Sequence, residues 1–400
     1  MRILAAHPNP ALLTLPWGTA LEQWSEHVVP VPLGLSRHVV RVIVLDGVFY
    51  AIKETREEIA KREYRLLRDL GRAGLPAVEP RAVVSGRPND LGAALITQHL
   101  GFALPYRAIF ANGLPAARLP AVIDALVVLL VRLHLNGFFW GDVSLSNVLF
   151  RRSAGEFAAY LVDAETGELH PELSDGLREH DVTVGCENVF AELMDLQASQ
   201  INADVTAHAN PAEVIALIRG RYEQLWHELT AEESFDNSEV WRIEQRIRRL
   251  NELGFDVEEL DMDADDNSIR IRPRVVEEGH HFRELKRLTG LEVTDNQARR
   301  LLGDLAAFAA HFGFEDVAAA APVWREDVYD RIVAMIPPEL HDRLEPAEIF
   351  HEILEHRWLL SERAGCEQDI FEVAADYFRT QLAHRPAEVS TQSLPRTPPR

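Results

Sequence analysis

Asp142 and Asn147 stand five residues apart in the run Gly141-Asp142-Val143-Ser144-Leu145-Ser146-Asn147. An apolar stretch precedes this run and a strand-like stretch follows it. A second strand-like stretch, Tyr160-Leu161-Val162, ends in Asp163. Phosphoryl transfer from ATP needs groups of this kind. One carboxylate accepts the proton of an acceptor hydroxyl, while an amide oxygen and a second carboxylate hold Mg²⁺ on the phosphates. Mg²⁺ takes oxygen ligands, so Asp and Asn suit it where His or Cys would not.

Elements able to position such groups are legible around them. Val39–Leu45 and Val48–Lys53 are rich in β-branched and aromatic residues, and Asp46-Gly47 between them is a strong hairpin signal. Strand alternation puts Phe49, Ala51 and Lys53 on one face. Arg56–Leu70 reads as a helix ending near Gly71, and Ala82–Ser85 and Ala93–Leu100 as two further strands. From residue 119 the chain turns helical. Ala121–Leu135 is an apolar helix that stops at Asn136-Gly137. Phe138–Phe150 and Tyr160–Val162 have strand composition at their ends. Further helices are expected at Asn188–Gln200, Pro211–Leu229, Glu239–Leu253, Asp295–Phe312, Glu326–Ile336, Glu348–Ser361 and Glu367–Leu382. Phe255–Leu260 and Ser268–Val275 bracket an acidic turn. The pattern is α+β: a first domain over 25–230 with a small antiparallel β part and a helical part, a mostly helical second domain with one hairpin over 235–384, and a Pro/Ser/Thr-rich tail, 385–400, expected to be disordered.

Taken in order, the hairpin ending in Lys53, the helix carrying Glu63, the apolar helix, Asp142 with Asn147, and Asp163 resemble the protein-kinase-like superfamily. The His134-to-Asp142 approach is most similar to its bacterial lipopolysaccharide-kinase-like branch, here followed by a helical domain of unknown function. The resemblance implies a bilobal kinase-like fold and an ATP- and Mg²⁺-dependent phosphotransferase. It assigns the general base to Asp142 and metal binding to Asn147 and Asp163. Phe49-Tyr50-Ala51-Ile52-Lys53 matches the superfamily's Val-Ala-Ile-Lys strand. Ala51 then leaves room for adenine, and Lys53 reaches the α- and β-phosphates. Glu63 is the residue expected to hold Lys53, because Glu63, Leu67 and Leu70 reproduce the superfamily's spacing. Ile96-Thr97-Gln98-His99-Leu100 takes the place of the adenine-binding hinge, with Gln98 and Leu100 as contacts. Leu33-Gly34-Leu35-Ser36-Arg37-His38 takes the place of the phosphate loop, with Gly34 and Ser36 as contacts. Trp140 stands where the branch usually has His, so the loop needs a different brace. Ser144 replaces the Lys of Ser/Thr protein kinases, and Asp163-Ala164-Glu165 lacks the usual Phe-Gly. The acceptor is a sugar or glycan, another small molecule, or a protein. The rival reading is a regulatory pseudokinase, or a nucleotide-binding scaffold without transfer.

Composition narrows the partners. The chain has 400 residues, with 41 Lys+Arg against 63 Asp+Glu, a net charge of −22. Such acidity disfavours nucleic acid and anionic membrane surfaces. Cys186 and Cys366 cannot build a disulfide framework or a four-cysteine zinc site, and they point to a reducing cytoplasm. The most apolar region, Leu119–Leu135, is interrupted by Asp124 and Arg132 and falls short of the roughly 20 apolar residues of a membrane span. The N-terminal apolar stretch is too short for a signal peptide.

Other motifs read as structural. Asp261-Met262-Asp263-Ala264-Asp265 resembles a calcium loop but has Asp266 and Arg272 where Gly and Glu belong, so it reads as a hairpin turn. His351 and His356 would diverge by about 140° on a helix and cannot share a metal. His280-His281 reads as a helix start, and the cluster Arg242, Arg246, Arg248, Arg249 as a solvated helix face. The second domain is expected to select the acceptor or dock a partner protein.

Overall fold

A computed structural model of the chain describes residues 1–6, 9–26, 28–31, 38–111, 114–199, 210–236, 241–252, 255–264 and 268–388. It is a mixed α and β protein in which helices predominate over small antiparallel sheets. The chain divides into two compact units. One comprises residues 1–151 and 159–222; the other comprises residues 152–158 and 223–388.

The first unit opens with a five-stranded sheet. Its strands are β1 (Arg2–Ala5), β2 (Val40–Leu45), β3 (Val48–Thr55), β4 (Pro80–Ser85) and β5 (Ala93–Gln98), in the order β1-β4-β5-β3-β2. The β2–β3 hairpin turns through Asp46 (φ 51°) and Gly47 (φ 77°), the paired positive φ that an Asp-Gly turn supplies. The helix α1 (Glu57–Arg72) lies between β3 and β4 in sequence and buries Ala60, Glu63, Tyr64, Leu67 and Leu70.

Register decides which side chains meet. Val40 pairs with Lys53 and Val42 with Ala51; Lys53 pairs in turn with Leu95, and Ala51 with Thr97. Directly paired residues share a face, so these six point to one side of the sheet. Ile43, Tyr50, Ile52 and Ile96 point to the other. That second face is covered by Leu12, Leu15, Trp17, Leu21 and Trp24. Residues 10–24, which have no clear period, are therefore a cover. Arg87, buried at its root, fastens them by donating to the carbonyls of Trp17 and Thr19 while pairing with Glu54 at 2.7 Å.

Beyond the sheet come β6 (Ala103–Pro105), α2 (Tyr106–Ala111), α3 (Leu119–Leu135), β7 (Phe138–Phe139), β8 (Val148–Ser153), β9 (Glu156–Leu161), β10 (Glu168–Leu169), α4 (Asp175–Ala198) and α5 (Pro211–Thr230). α3 buries side chains all round and ends where Gly137 takes φ 71°. Among the described residues, no helix is long and apolar enough to cross a membrane. α4 begins well ahead of the helix expected at Asn188–Gln200. Ser174 caps its start by accepting the Leu177 N–H. Gly176, Thr183 and Gly185 dilute helix propensity there, and tertiary contacts override it.

The second unit holds β11 (Glu233–Asp236), α6 (Trp241–Glu252), β12 (Phe255–Ala264) and β13 (Ser268–Glu278), with β13 central in a three-stranded sheet. The helices α7 (His280–Thr289), α8 (Asp295–Phe312), α9 (Val317–Trp324), α10 (Arg331–Met335), α11 (Pro346–Ala364) and α12 (Ile370–Thr380) follow. A π-helical turn, Arg325–Asp330, joins α9 to α10, so the helix expected from Glu326 begins at Val317. Trp324, Tyr329, Phe350 and Tyr377 sit in the core with Leu301 and Leu305. Arg246 is buried, and its guanidinium donates to the carbonyls of Glu228 and Ala231, so this member of the arginine cluster does not face solvent. Of the tail expected to be disordered, Arg385 donates to Glu352 at 2.6 Å and Glu388 is buried against Arg152. Residues 389–400, and the turn residues 265–267, lie outside the described residues.

Candidate active site

Lys53 projects from β3 into a cavity of about 420 Å³. Its Nζ lies 2.7 Å from Glu63 Oε2 and 3.1 Å from Asp163 Oδ2. Glu63 is fully buried on the inner face of α1. Burial alone would lower the Lys53 pKa, but the Glu63 and Asp163 carboxylates outweigh it and hold the ammonium above its ordinary value. Burial pushes the Glu63 carboxyl up to about 7; Lys53 opposes that rise and Asp163 adds to it.

Seven of the residues nominated from sequence line this one cavity: Ala51, Lys53, Glu63, Gln98, Leu100, Asn147 and Asp163. Apolar side chains of Val42, Val78, Leu95 and Val148 complete its walls. A pocket of this size, mostly apolar with a few convergent charges, suits a small-molecule ligand. Gln98 is turned toward Arg81, which donates to its Oε1, so its side chain is committed to the strand edge. Gly34 and Ser36 lie outside the described residues.

Asp142 does not line the cavity. It is tied to the cavity wall through Asn147, whose Nδ2 donates to the Asp142 carbonyl at 2.9 Å and to Oδ2 at 3.2 Å. Asn188 Nδ2 donates to Asp142 Oδ1 at 3.3 Å and to the Val143 carbonyl at 3.0 Å. Val162 N–H donates to the Asn147 carbonyl at 3.1 Å, which joins the strand before Asp163 to the same loop.

Sequence reasoning missed what holds this loop in place. Asp181 is fully buried on α4. It accepts the Trp140 and Gly141 backbone N–H groups, each at 2.7 Å, and lies 3.2 Å from His134 Nε2. Asp181 accepts only, so His134 carries its proton on Nε2 and takes the Tyr222 hydroxyl at Nδ1, 2.7 Å away. Burial pushes the Tyr222 hydroxyl up to about 12, so it keeps the proton it donates. Burial also holds His134 below its ordinary pKa, against the pull of Asp181. Glu192, four residues beyond Asn188, accepts the Leu145 and Ser146 N–H groups and the Ser146 hydroxyl. Burial raises the Glu192 pKa against those donors, and the charge of Asp142 adds to the rise.

Asp181, Gly185, Asn188 and Glu192 follow an i, i+4, i+7, i+11 pattern, one face of a helix. Gly185 is on that face because a Cβ there would meet Val143 Cγ1 at 2.9 Å. The pattern was present in sequence, but in polar residues.

Trp140 supplies the different brace its position calls for. It is fully buried, and its indole N–H donates to the Asp163 carbonyl at 3.2 Å. Thr166 Oγ1 donates to the Trp140 carbonyl at 2.8 Å. Gly141 sits at φ 77°, and a Cβ there would meet Phe139 at 3.2 Å, so glycine is needed between Trp140 and Asp142. Cys186 is buried, and burial pushes its thiol up, away from nucleophile duty. His356 pairs with Asp376 at 2.9 Å while His351 is buried, so the two histidines do not converge.

Residues 224–382 match a family model described as a domain of unknown function, DUF4032. No curated protein sequence matches the chain. Among solved structures the chain is similar to WaaP in complex with acyl carrier protein. The likeness has 17% identity and a TM-score of 0.35, over 56% of this chain and 100% of that one. At that TM-score the likeness carries no weight for fold or chemistry.

Proposed function

We propose that the first unit has a bilobal, protein-kinase-like fold and is an ATP- and Mg²⁺-dependent phosphotransferase acting on a hydroxyl acceptor. The observation that carries this reading is Lys53 Nζ, held between Glu63 at 2.7 Å and Asp163 at 3.1 Å on the wall of a cavity shared with Asn147. A scaffold has no need for the full set of Lys53, Asp142, Asn147 and Asp163.

The donor set fits magnesium: Asp163 offers carboxylate oxygen, and Asn147, with Nδ2 given to Asp142, leaves amide Oδ1 for a cation. Asp163 and Asn147 would hold the ion, which supplies neutralising charge to the phosphates as the γ-phosphoryl group leaves ADP. The chain's own groups do the rest. Ala51, Val42 and Val148 give adenine an apolar slot, and Lys53 takes the α- and β-phosphates. Asp142, oriented by Asn147 and Asn188, accepts the acceptor proton as the new O–P bond forms and the bond to ADP breaks. A cytoplasmic setting supplies ATP and keeps Cys186 and Cys366 as free thiols. The second unit is the natural candidate for acceptor selection or partner docking.

The test is titration calorimetry with ATP, with and without Mg²⁺, followed by phosphate transfer to a panel of sugars, small hydroxyl compounds and proteins. Metal-dependent binding and transfer above the Asp142→Asn background support the reading. No ATP binding at millimolar concentration sinks it. The scaffold reading draws on Glu165, whose carboxylate lies 3.5 Å from Lys53 Nζ; it wins if ATP binds and no transfer exceeds that background.

A further inference from the structure

Glu165 has no role in the chemistry just described, yet its carboxylate meets two residues at the charged end of the cavity. Its Oε2 is 2.9 Å from His38 Nε2 and 3.5 Å from Lys53 Nζ. One oxygen is therefore approached by two nitrogen groups, one from β3 and one just ahead of β2, and both residues line the cavity. The Glu165 backbone N–H also donates to Asp163 Oδ1 at 3.0 Å, so the position of this side chain is tied to that of Asp163.

A carboxylate oxygen and a phosphate oxygen ask for the same surroundings: N–H donors, preferably charged, at about 2.7–2.9 Å. We propose that Lys53 and His38 form a subsite for a phosphate oxygen, and that Glu165 fills it until a polyphosphate displaces it. His38 is then a ligand-binding residue, and Glu165 a built-in competitor. The identity of the polyphosphate as a nucleotide rests on the phosphotransferase reading; the subsite does not. The arrangement also gives a use to Glu165, which stands where the superfamily has Gly by resemblance. Lys53 already faces Asp163 and Glu63, so a third carboxylate beside it adds like charge, which a bound polyphosphate would have to displace.

The experiment is calorimetric titration of the full chain, first without divalent metal and then with Mg²⁺, with tripolyphosphate, ATP and adenosine as probes. Glu165→Gln removes the competing charge and is expected to tighten tripolyphosphate and ATP by about tenfold, with adenosine unchanged. His38→Ala is expected to weaken the same two probes by about tenfold, again with adenosine unchanged. His38→Lys, which restores an N–H donor, keeps most of the affinity and separates lost contact from lost fold. If Glu165→Gln leaves polyphosphate binding unchanged or weaker, or if His38→Ala leaves it unchanged, the subsite is wrong. ATP binding that requires Mg²⁺ and responds to neither substitution keeps the phosphotransferase reading and removes the subsite. The expected pattern with tripolyphosphate, without ATP binding, keeps the subsite and removes the phosphotransferase reading. Binding of none of the three probes removes both.

Discussion

Gly141 N–H donates to Asp181 Oδ1 at 2.7 Å, so the residue before the candidate base is hung from a carboxylate that water does not reach. The other oxygen of the same carboxylate takes the Trp140 N–H and faces His134. α4 thus grips the loop at three levels: Asp181 at its entry, Asn188 at Asp142, and Glu192 at Ser146. The backbone of a loop with φ 77° at Gly141 needs such support, because its own N–H groups have no ladder to join.

Replacing Asp181 by Ala leaves two buried backbone donors and one imidazole donor without an acceptor. Each orphaned buried group costs about 1–3 kcal/mol, partly relieved if water enters. The expected loss is about 2–4 kcal/mol of unfolding free energy. Denaturant titration measures it, and a loss below about 0.5 kcal/mol, the range of ordinary surface substitutions, would mean that the loop does not depend on α4.

His134 makes stability depend on pH. Its folded pKa is held below the unfolded value of about 6.5, so below that pH the unfolded chain takes up a proton first. Stability is therefore fully present above about pH 6.5 and falls as pH drops through it, by at most about 1.4 kcal/mol per pH unit. In His134→Gln this part of the slope disappears, although the variant is weaker at neutral pH. A slope of opposite sign between pH 6.5 and 5.5 that His134→Gln abolishes would refute the neutral, Nε2-protonated assignment.

Much of the candidate site was legible because it lies on elements with strong local signals. Lys53 follows an Asp-Gly hairpin, Glu63 sits on a dense amphipathic helix, and Asp163 ends an apolar strand; the structure brings these three together. Asp181, Asn188 and Glu192 escaped because a buried polar face has the spacing of a core face without its residue types, and two glycines masked the helix that carries it. The cover formed by Leu12, Trp17 and Trp24 escaped for another reason. Its short 3₁₀ turns have no period, and only the sheet face beneath them gives those side chains a place to be. Glu165 meeting His38, 127 residues away, is a tertiary event with no local trace.

The metal and base assignments separate kinetically. Asp142→Asn keeps the Asn147 and Asn188 contacts sterically possible and removes the proton acceptor. It is expected to leave ATP affinity within about twofold and to cut turnover by about 10²–10⁴-fold. Asn147→Ala and Asp163→Asn should instead weaken ATP binding in Mg²⁺ far more than in its absence. Equal ATP affinity for Asp163→Asn and wild type, measured in Mg²⁺, would take Asp163 out of the metal site.

Gly185 tests the contact between α4 and the loop from the other side. Alanine would favour the helix by up to about 1 kcal/mol, but its Cβ meets Val143 Cγ1 at 2.9 Å, and Val143 is buried beside Asp142. Overpacking at such a point costs about 1–3 kcal/mol, so clash should outweigh propensity. Gly185→Ala is expected to lower stability modestly and turnover more, as Asp142 is pushed. Adding Val143→Ala removes the clashing methyl group and should recover turnover. If the double variant is no more active than the single, the coupling is absent.

The last prediction concerns what the second unit is for. All nominated residues precede residue 170, so a chain ending at 222 retains them. Residues 152–158 nevertheless belong to the second unit. Ala154 N–H donates to Glu348 at 2.8 Å, Ser153 Oγ meets Thr294 Oγ1 at 2.7 Å, and Arg152 pairs with Glu388 at 2.6 Å. Cutting at 222 affects the two sides unequally. The hairpin tip passes to water, which satisfies its donors at little cost. In an isolated 223–388 fragment, Glu348 and Gln297 lose their partners in residues 152–155. The 1–222 chain is therefore expected to fold and to bind ATP with Mg²⁺ within about threefold of the full chain, while 223–388 unfolds at lower denaturant than the same unit in the full chain. If the 1–222 chain binds ATP but no longer phosphorylates an acceptor that the full chain accepts, the second unit selects or docks that acceptor. If the 1–222 chain is insoluble or unfolded, the two units depend on one another for folding, and a separable docking module is the wrong description.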